Sequence, residues 1–196
     1  MRLTDYIVNL LLSAILIIGA YQFYFWCQRN PLSTPRQFKL GIDERIPYWP
    51  SWVWIYSCLY YPIILYLNFV IGSAREFTYV ATSYMVLLGL QMLFFVFVPV
   101  TTPPHWRAYN RERTLSERFL AVVQRIDAPT NSFPSMHVSV AMLTALHLVP
   151  HVGAAALAFP LVIALSCLFT KQHYVMDLPA GAVLGLGSFA AYQILL

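Results

Sequence analysis

Residues 128–170 have the sequence APTNSFPSMHVSVAMLTALHLVPHVGAAALAFPLVIALSCLFT, which contains no Asp, Glu, Lys or Arg. A helix that crosses a membrane needs about 20 mostly apolar residues, so this stretch is too long for a single crossing. Pro150, His151 and Gly153 lie near its middle and are typical of a turn. The stretch therefore predicts two membrane-spanning helices that are joined by a short connection.

The composition of the whole chain agrees with that interpretation. Of its 196 residues, 59% are hydrophobic and only 10% are charged, whereas a soluble domain carries about 25% charged residues. Such a chain cannot cover a soluble globule with charge, and it is too apolar to be disordered. Its three cysteines are too few for a small disulfide scaffold. We therefore expect an integral membrane protein with a single domain over residues 1–196.

Four further uncharged stretches are each long enough for one crossing. The first apolar run exceeds the roughly 7–15 residues of a signal-peptide core, and no small-residue cleavage site follows it, so a retained helix is the better interpretation. We predict an all-α protein, a bundle of six membrane-spanning helices at about residues 6–27, 51–72, 78–99, 136–149, 152–170 and 174–195.

Six crossings would place both termini on one side of the membrane and the segments 28–50, 100–135 and 170–174 on the other. Ten of the twelve Lys and Arg residues lie on the side of these segments. Such residues either contact lipid headgroups and follow the charge bias of membrane proteins, or form a site for an anionic substrate. The mixture of Arg and Glu over residues 111–118 also favours an interfacial helix within the 100–135 loop.

Two short segments on this face carry residues suited to catalysis, residues 133–138 and residues 170–177. His173 and Asp177 are four residues apart, so they share one face of a helix. A carboxylate bonded to one imidazole nitrogen fixes the tautomer and raises the basicity of the other nitrogen. The pair therefore either pins a helix end or activates a histidine, and His137 at the same depth favours the second interpretation.

These residues resemble a known family. Pro134-Ser135-Met136-His137 is similar to the Pro-Ser-x-His signature of the type 2 phosphatidic acid phosphatase superfamily. His173 and Asp177 resemble the end of its Ser-Arg-x5-His-x3-Asp signature, and Ser166 stands where that signature has its Ser. The order of the motifs and the predicted six-helix layout also agree, so the resemblance covers essentially the whole chain.

The resemblance implies a role for each catalytic candidate. His173 would be the nucleophile that accepts the phosphoryl group, Asp177 would orient it, and His137 would be the general acid and then the general base. The scheme needs no metal ion or other cofactor, because basic side chains and N–H groups stabilise the phosphoryl oxygens. The candidates for binding the phosphate are Arg107, Ser135, Ser166 and Lys171.

Three features depart from the superfamily's pattern. Cys167 stands where the family has an Arg, and Met136 stands where it has a Gly. The signature Lys-x6-Arg-Pro does not occur, so Arg107 is the best candidate for its Arg, and Lys171 can replace the charge that Cys167 lacks. The inositolphosphotransferase branch, which includes the phosphorylceramide synthases, is more similar to the segments 43–48, 99–107, 133–137 and 171–174.

The resemblance favours an enzyme that transfers a phosphoryl group from a lipid phosphate. Hydrolysis is the commoner outcome in the superfamily, so we expect a lipid phosphate phosphatase that acts through a phosphohistidine on a lipid phosphate or phosphodiester. The resemblance to one branch favours headgroup transfer as the alternative. A transporter would need ionisable residues at the bilayer midplane rather than at one edge, and a non-catalytic scaffold is a further alternative. The expected partners are a lipid substrate and the membrane, not nucleic acid, and the oligomeric state stays open.

The orientation in the membrane is predicted differently by charge and by family. The excess of Lys and Arg on the loop-rich side favours a cytoplasmic active face. The superfamily usually exposes its active face to the periplasm or lumen, and substrate-binding Arg residues inflate the charge count. We therefore expect an integral protein of a bacterial inner membrane with an extracytoplasmic active site.

Overall fold

The computed structural model describes residues 2–195 and contains helices and no strands over that range, which confirms the predicted all-α class. A 3-10 turn at Pro50–Trp52 and a π-helix at Trp54–Leu59 come directly before the α-helix that starts at Tyr60, and a second 3-10 turn spans Gly153–Leu157. The α-helices are α1 (Leu3–Arg29), α2 (Gly41–Arg45), α3 (Tyr60–Val70), α4 (Ala74–Phe97), α5 (Pro104–Arg107), α6 (Leu115–Ile126), α7 (Met136–Val152), α8 (Ala158–Phe169) and α9 (Asp177–Leu195).

Four helical segments are long and apolar enough to cross a membrane. They are Leu3–Arg29, Pro50–Val70, Ala74–Phe97 and Met136–Phe169. The last segment contains α7, the 3-10 turn and α8, and α7 packs against α8. Helix α9 adds 19 mostly apolar residues that pack against α7 and α4. The protein is therefore an integral membrane protein built from long apolar helices.

The connection within residues 128–170 differs in detail from the prediction. Helix α7 continues through Pro150 and ends at Val152, where Gly153 adopts a positive φ of 71°. Glycine adopts this conformation without a steric penalty and is therefore common at helix ends. The following 3-10 turn delays the start of α8 to Ala158, six residues later than the predicted start at 152.

Helix α7 lies at the centre of the bundle and contacts α3, α4, α8 and α9. Its approach to α9 is close because two glycines face it. A Cβ atom at Gly181 would lie 2.5 Å from the carbonyl oxygen of Ser135, and a Cβ at Gly185 would lie 2.5 Å from that of Ser139. Small residues at membrane helix contacts let backbones approach in this way.

Helix α1 lies at the edge of the bundle, and few of its residues are buried, namely Asn9, Tyr24 and Cys27. It contacts α4 through Tyr24 and Phe95, whose ring centroids are 5.6 Å apart. It contacts α3 through a hydrogen bond from Ser13 Oγ to Asn68 Oδ1. Between these points α1 covers a cavity.

The loop-rich face is an ordered assembly of segments rather than a set of free loops. The buried carboxylate of Asp43 accepts hydrogen bonds from the N–H groups of Leu40 (2.6 Å) and Val175 (2.8 Å). Tyr174 is also buried and donates from its hydroxyl to the Thr101 carbonyl at 2.9 Å. These bonds attach the segments around α2 and α5 to the turn that carries His173.

Candidate active site

His173 lies in the turn between α8 and α9. Its Nδ1 is 2.9 Å from the carbonyl oxygen of Ser132 and 3.3 Å from Asp177 Oδ2. Both neighbours are hydrogen-bond acceptors, so Nδ1 carries the proton and donates it. The Nε2 atom of a neutral His173 therefore keeps its lone pair for reaction.

Asp177 is the first residue of α9 and is fully buried. Its Oδ2 also accepts a hydrogen bond from the Tyr174 N–H at 2.9 Å. One carboxylate thus holds both the backbone of the turn and the imidazole of His173. The predicted contact is present, but it is made from the turn before α9 and not along one face of a helix.

His137 lies in the first turn of α7. Its ring centroid is 6.2 Å from that of His173, close enough for both rings to reach one phosphoryl group. The ring packs on Tyr56 at a centroid distance of 4.0 Å and on Tyr60 at 4.8 Å. The two histidines and Asp177, predicted from separate parts of the sequence, therefore meet at one place.

Main-chain contacts hold the two motifs together. The Ser135 N–H donates to the Asp177 carbonyl oxygen at 3.0 Å, and Gly181 allows the two backbones to approach. Gln91 of α4 donates to the Pro134 carbonyl at 2.7 Å and accepts from Ser139 Oγ at 3.0 Å. The entry to α7 is thereby fixed relative to α9 and α4.

Ser135 is the N-cap residue of α7, and its hydroxyl accepts from the Val138 N–H. Within residues 2–195, the N–H groups of Met136 and His137 have no hydrogen-bond partner. Free N–H groups and the helix dipole favour an anion at a helix N-terminus. The start of α7 can therefore bind phosphoryl oxygens beside His137.

Arg107, which the sequence predicts as a phosphate ligand, is bound to α6 instead. Its guanidinium donates to the carbonyl oxygens of Gln124 (2.5 Å) and Asp127 (2.7 Å). These carbonyls lie at the end of α6 and have no partner within the helix, so a cation there is stabilising. Burial lowers the pKa of Arg107.

Lys171 and Ser166 also bind protein groups. The buried Lys171 Nζ donates to the Asp43 carbonyl at 2.7 Å and lies 5.0 Å from the Trp106 ring centroid. Burial lowers its pKa, while Glu44 and Asp43 oppose that effect. Ser166 donates to the Ile163 carbonyl of its own helix at 2.7 Å. Of the four predicted phosphate ligands, Ser135 is the one whose backbone contacts Asp177 directly.

Asp127 lies next to the candidate site, although neither sequence motif contains it. Its Oδ1 accepts from the Tyr24 hydroxyl at 2.8 Å and from Gln28 Nε2 at 2.6 Å. It lines a small polar pocket together with His173 and a larger cavity together with His137. Burial raises the pKa of Asp127, and the two hydrogen bonds oppose this. Its position directly before the uncharged stretch is the signal that could have identified it.

The larger cavity has a volume of about 360 Å³ and is lined by α1, α3, α4, α6, α7 and the π-helix before α3. Most of its wall is aliphatic or aromatic, and His137 and Asp127 are at one end. The protein thus belongs to the class of helical membrane proteins that hold a polar site next to an apolar cavity.

Residues 46–191 match the family model of the PAP2 superfamily, the type 2 phosphatidic acid phosphatases, and the chain belongs to this superfamily. This confirms the family predicted from the two motifs and indicates phosphoryl-transfer phosphatase activity. The matched region contains His137, His173 and Asp177, whereas α1 precedes it. The chain matches no curated protein and no solved structure.

Proposed function

We propose that the protein is a lipid phosphatase that uses His173 as nucleophile, Asp177 as its orienting group and His137 as acid and base. The observation that carries this proposal is the pair of imidazole rings 6.2 Å apart, one of which is held by two acceptors at Nδ1. That arrangement supplies a nucleophilic nitrogen and a second proton-transfer group around one anion.

In the first step, the lone pair of His173 Nε2 attacks the phosphorus atom and forms a P–N bond. The P–O bond to the lipid alcohol breaks, and its electron pair stays on that oxygen. Protonated His137 donates its proton to the same oxygen, so a neutral lipid alcohol leaves. The developing positive charge on His173 is stabilised by Asp177 through Nδ1.

In the second step, a water molecule attacks the phosphorus atom while neutral His137 removes its proton. The P–N bond breaks, its electron pair returns to Nε2, and phosphate leaves. The free N–H groups at the start of α7 bind phosphoryl oxygens in both steps. The scheme uses no metal ion, and Arg107, Ser166 and Lys171 act by holding the structure around the site.

The same proposal includes an arrangement in the membrane. The six long helical stretches, in α1, the π-helix with α3, α4, α7, α8 and α9, form six crossings of one domain, with the active site on the extracytoplasmic face of a bacterial inner membrane. Helix α6 lies along the interface, because Leu115, Val122 and Ile126 are exposed apolar residues and Arg118 and Arg125 are exposed basic residues on the same helix.

Headgroup transfer is the second candidate function, and Asp127 favours it. A carboxylate beside His173 repels a doubly charged phosphomonoester but accepts hydrogen bonds from the hydroxyl groups of a headgroup or acceptor. Lipid or polyol hydroxyl would then replace water in the second step. This reaction corresponds to the inositolphosphotransferase-like branch.

The test uses purified protein in lipid nanodiscs with phosphatidic acid, and a parallel lipid extract in which free phosphate and new headgroup lipids are both measured. We expect His173→Ala to reduce phosphate release by at least about 10³-fold. His151→Ala is the matched control, because His151 is exposed in the last turn of α7, far from the site. Release that persists in His173→Ala contradicts the proposal, and headgroup lipids without free phosphate support the second candidate.

A further inference from the structure

The apolar cavity runs along most of the bundle. On α4 its wall extends from Gln91, which contacts the entry to α7, to Phe77 near the other end of the helix. These residues are fourteen positions apart, which corresponds to about 21 Å at a rise of about 1.5 Å per residue. The cavity is therefore deep and begins beside His137.

One face of α1 forms the outer wall. Ser13, Ile17, Tyr21 and Tyr24 line the cavity and follow each other at helical spacing. The opposite face of α1 exposes large apolar residues such as Leu11, Ile15 and Ile18. Helix α1 thus forms one side of the cavity and turns its opposite face outward, and this explains why so little of the helix is buried.

The chemistry of the wall points to an apolar occupant. Cavities lined by aliphatic and aromatic side chains stay dry and accept apolar ligands. The polar groups of Asp127 and His137 lie at one end, and Phe77, Val80 and Ile71 line the other end. The polar side chains of Ser13 and Asn68 in the wall are hydrogen-bonded to each other. An occupant would need one anionic or polar end and one long apolar chain.

We propose that this cavity holds one hydrocarbon chain of the substrate inside the bundle, with its phosphate between His137 and His173 and its end beside Phe77. The assignment of the phosphate end rests on the proposed function. An extended chain of single bonds advances about 1.2 Å per bond. A cavity about 21 Å long therefore accommodates a hydrocarbon chain of about 16–18 carbons. Longer hydrocarbon chains must bend. The residues at the far end of the cavity therefore determine which chain lengths the protein accepts.

The test is photochemical labelling of the full chain in nanodiscs with alkyl phosphonates that carry a diazirine at the terminal carbon. A phosphonate has a P–C bond in place of the P–O bond that the reaction breaks, so the probe is not turned over and labelling reports binding alone. We expect a 16-carbon probe to label the peptide 67–81, and a 10-carbon probe to label residues near Tyr84. Labels on outward-facing residues of α4 such as Leu90 and Leu93 would overturn the proposal.

Ala81→Phe fills the far end of the cavity, because Ala81 lines it one turn from Phe77. We expect at least fivefold less labelling of the peptide 67–81 by the 16-carbon probe. Gly89→Phe is the control, since a Cβ at this exposed position of α4 meets nothing within 4 Å. Equal labelling of Ala81→Phe and the control by the 16-carbon probe contradicts the proposal.

Two comparisons separate this proposal from the proposed function. Unchanged labelling near Tyr84 by the 10-carbon probe shows that Ala81→Phe is folded. If Ala81→Phe loses both labels, the milder Ala81→Leu is tested for reduced labelling of the peptide 67–81 by the 16-carbon probe. Labelling of the 67–81 peptide in His173→Ala supports the cavity assignment even where turnover is lost. Normal His173-dependent turnover together with labels on the outward-facing residues of α4 contradicts the assignment of the cavity to the hydrocarbon chain. That result leaves the proposed reaction in place.

Discussion

The proton on His173 Nδ1 has two acceptors, and only one of them is visible in the sequence. The spacing of His173 and Asp177 predicts their contact through a shared helix face. The contact is present, but His173 lies in the turn before α9, so the helical reason for it is wrong. The Ser132 carbonyl, at 2.9 Å, comes from the segment before α7 and is brought there by tertiary packing. The sequence therefore predicts the orienting acid but not the second acceptor that fixes the ring.

The basic residues show that the sequence position of a cation does not by itself identify a phosphate ligand. The resemblance predicts Arg107 as a phosphate ligand in place of the missing signature Arg, and Lys171 as the charge that Cys167 lacks. In the structure each donates to backbone carbonyls of a distant segment. A cation that closes a helix end or anchors a loop has the same sequence signature as one that binds a ligand.

Arg107→Ala is expected to lower stability more than substrate affinity. It leaves the partly buried carbonyls of Gln124 and Asp127 without their donor, and losing a hydrogen bond to a charged group costs about 1–3 kcal/mol. Thermal unfolding and the KM for phosphatidic acid, both measured in nanodiscs, test this. Arg113→Ala, at an exposed position in the same loop, is the control. A KM raised more than tenfold with an unchanged Tm would identify Arg107 as a phosphate ligand after all.

At the scale of elements, the contact between α7 and α9 determines the geometry of the site. Gly181 and Gly185 are four residues apart and face α7, so the two backbones meet without side chains between them. The motif of each histidine is attached to one of these helices. A shift of α9 along α7 would therefore change the distance between His137 and His173.

Gly185→Ala is expected to destabilise the protein by about 1–3 kcal/mol, because its Cβ would lie 2.5 Å from the Ser139 carbonyl and 2.9 Å from Met142 Cβ. Gly187→Ala is the matched control in the same helix, since its Cβ meets nothing within 4 Å. Alanine has the higher helix propensity, so the control should be slightly more stable, by up to about 1 kcal/mol. Thermal unfolding in nanodiscs measures both, and equal Tm values would contradict this account.

Most helices are predictable from the absence of charge, and their ends are less so. The uncharged stretches locate α1, α3, α4, α7, α8 and α9 because charged residues are costly within a bilayer. The end of α7 is displaced because Pro150 is tolerated inside the helix and Gly153 terminates it. Inside a bundle, neighbouring helices satisfy the backbone groups that proline disrupts, so local propensity alone misplaces the boundary.

At the scale of the whole molecule, the polar site lies at one end of the bundle, and the apolar cavity extends from it toward the other end. The histidines, Asp127 and the ordered loop segments are at one end of the bundle, and the turn at Gly153–Leu157 is at the other. Composition predicts a membrane protein and the motifs predict its polar end. The cavity under α1 could not be predicted, since it depends on how residues from several helices pack.

The proposed orientation predicts the labelling of single cysteines in intact cells. Leu32 is exposed beside the site end and Ala155 is exposed at the other end, so Leu32→Cys and Ala155→Cys report the two faces. Both are built in a Cys58→Ser background, because Cys58 is exposed whereas Cys27 and Cys167 are buried. We expect an impermeant maleimide to label Leu32→Cys and to spare Ala155→Cys until the cells are permeabilised. The reverse pattern would place the active site in the cytoplasm, as the charge rule favours.

The bond between the Ser135 N–H and the Asp177 carbonyl oxygen joins the two motifs through main-chain atoms alone. Side-chain replacement at either position leaves that bond available. A combinatorial library that randomises the residues around His137 and His173 can therefore retain the scaffold while the chemistry of the site varies. This makes the junction a practical starting point for laboratory evolution of new substrate selectivity.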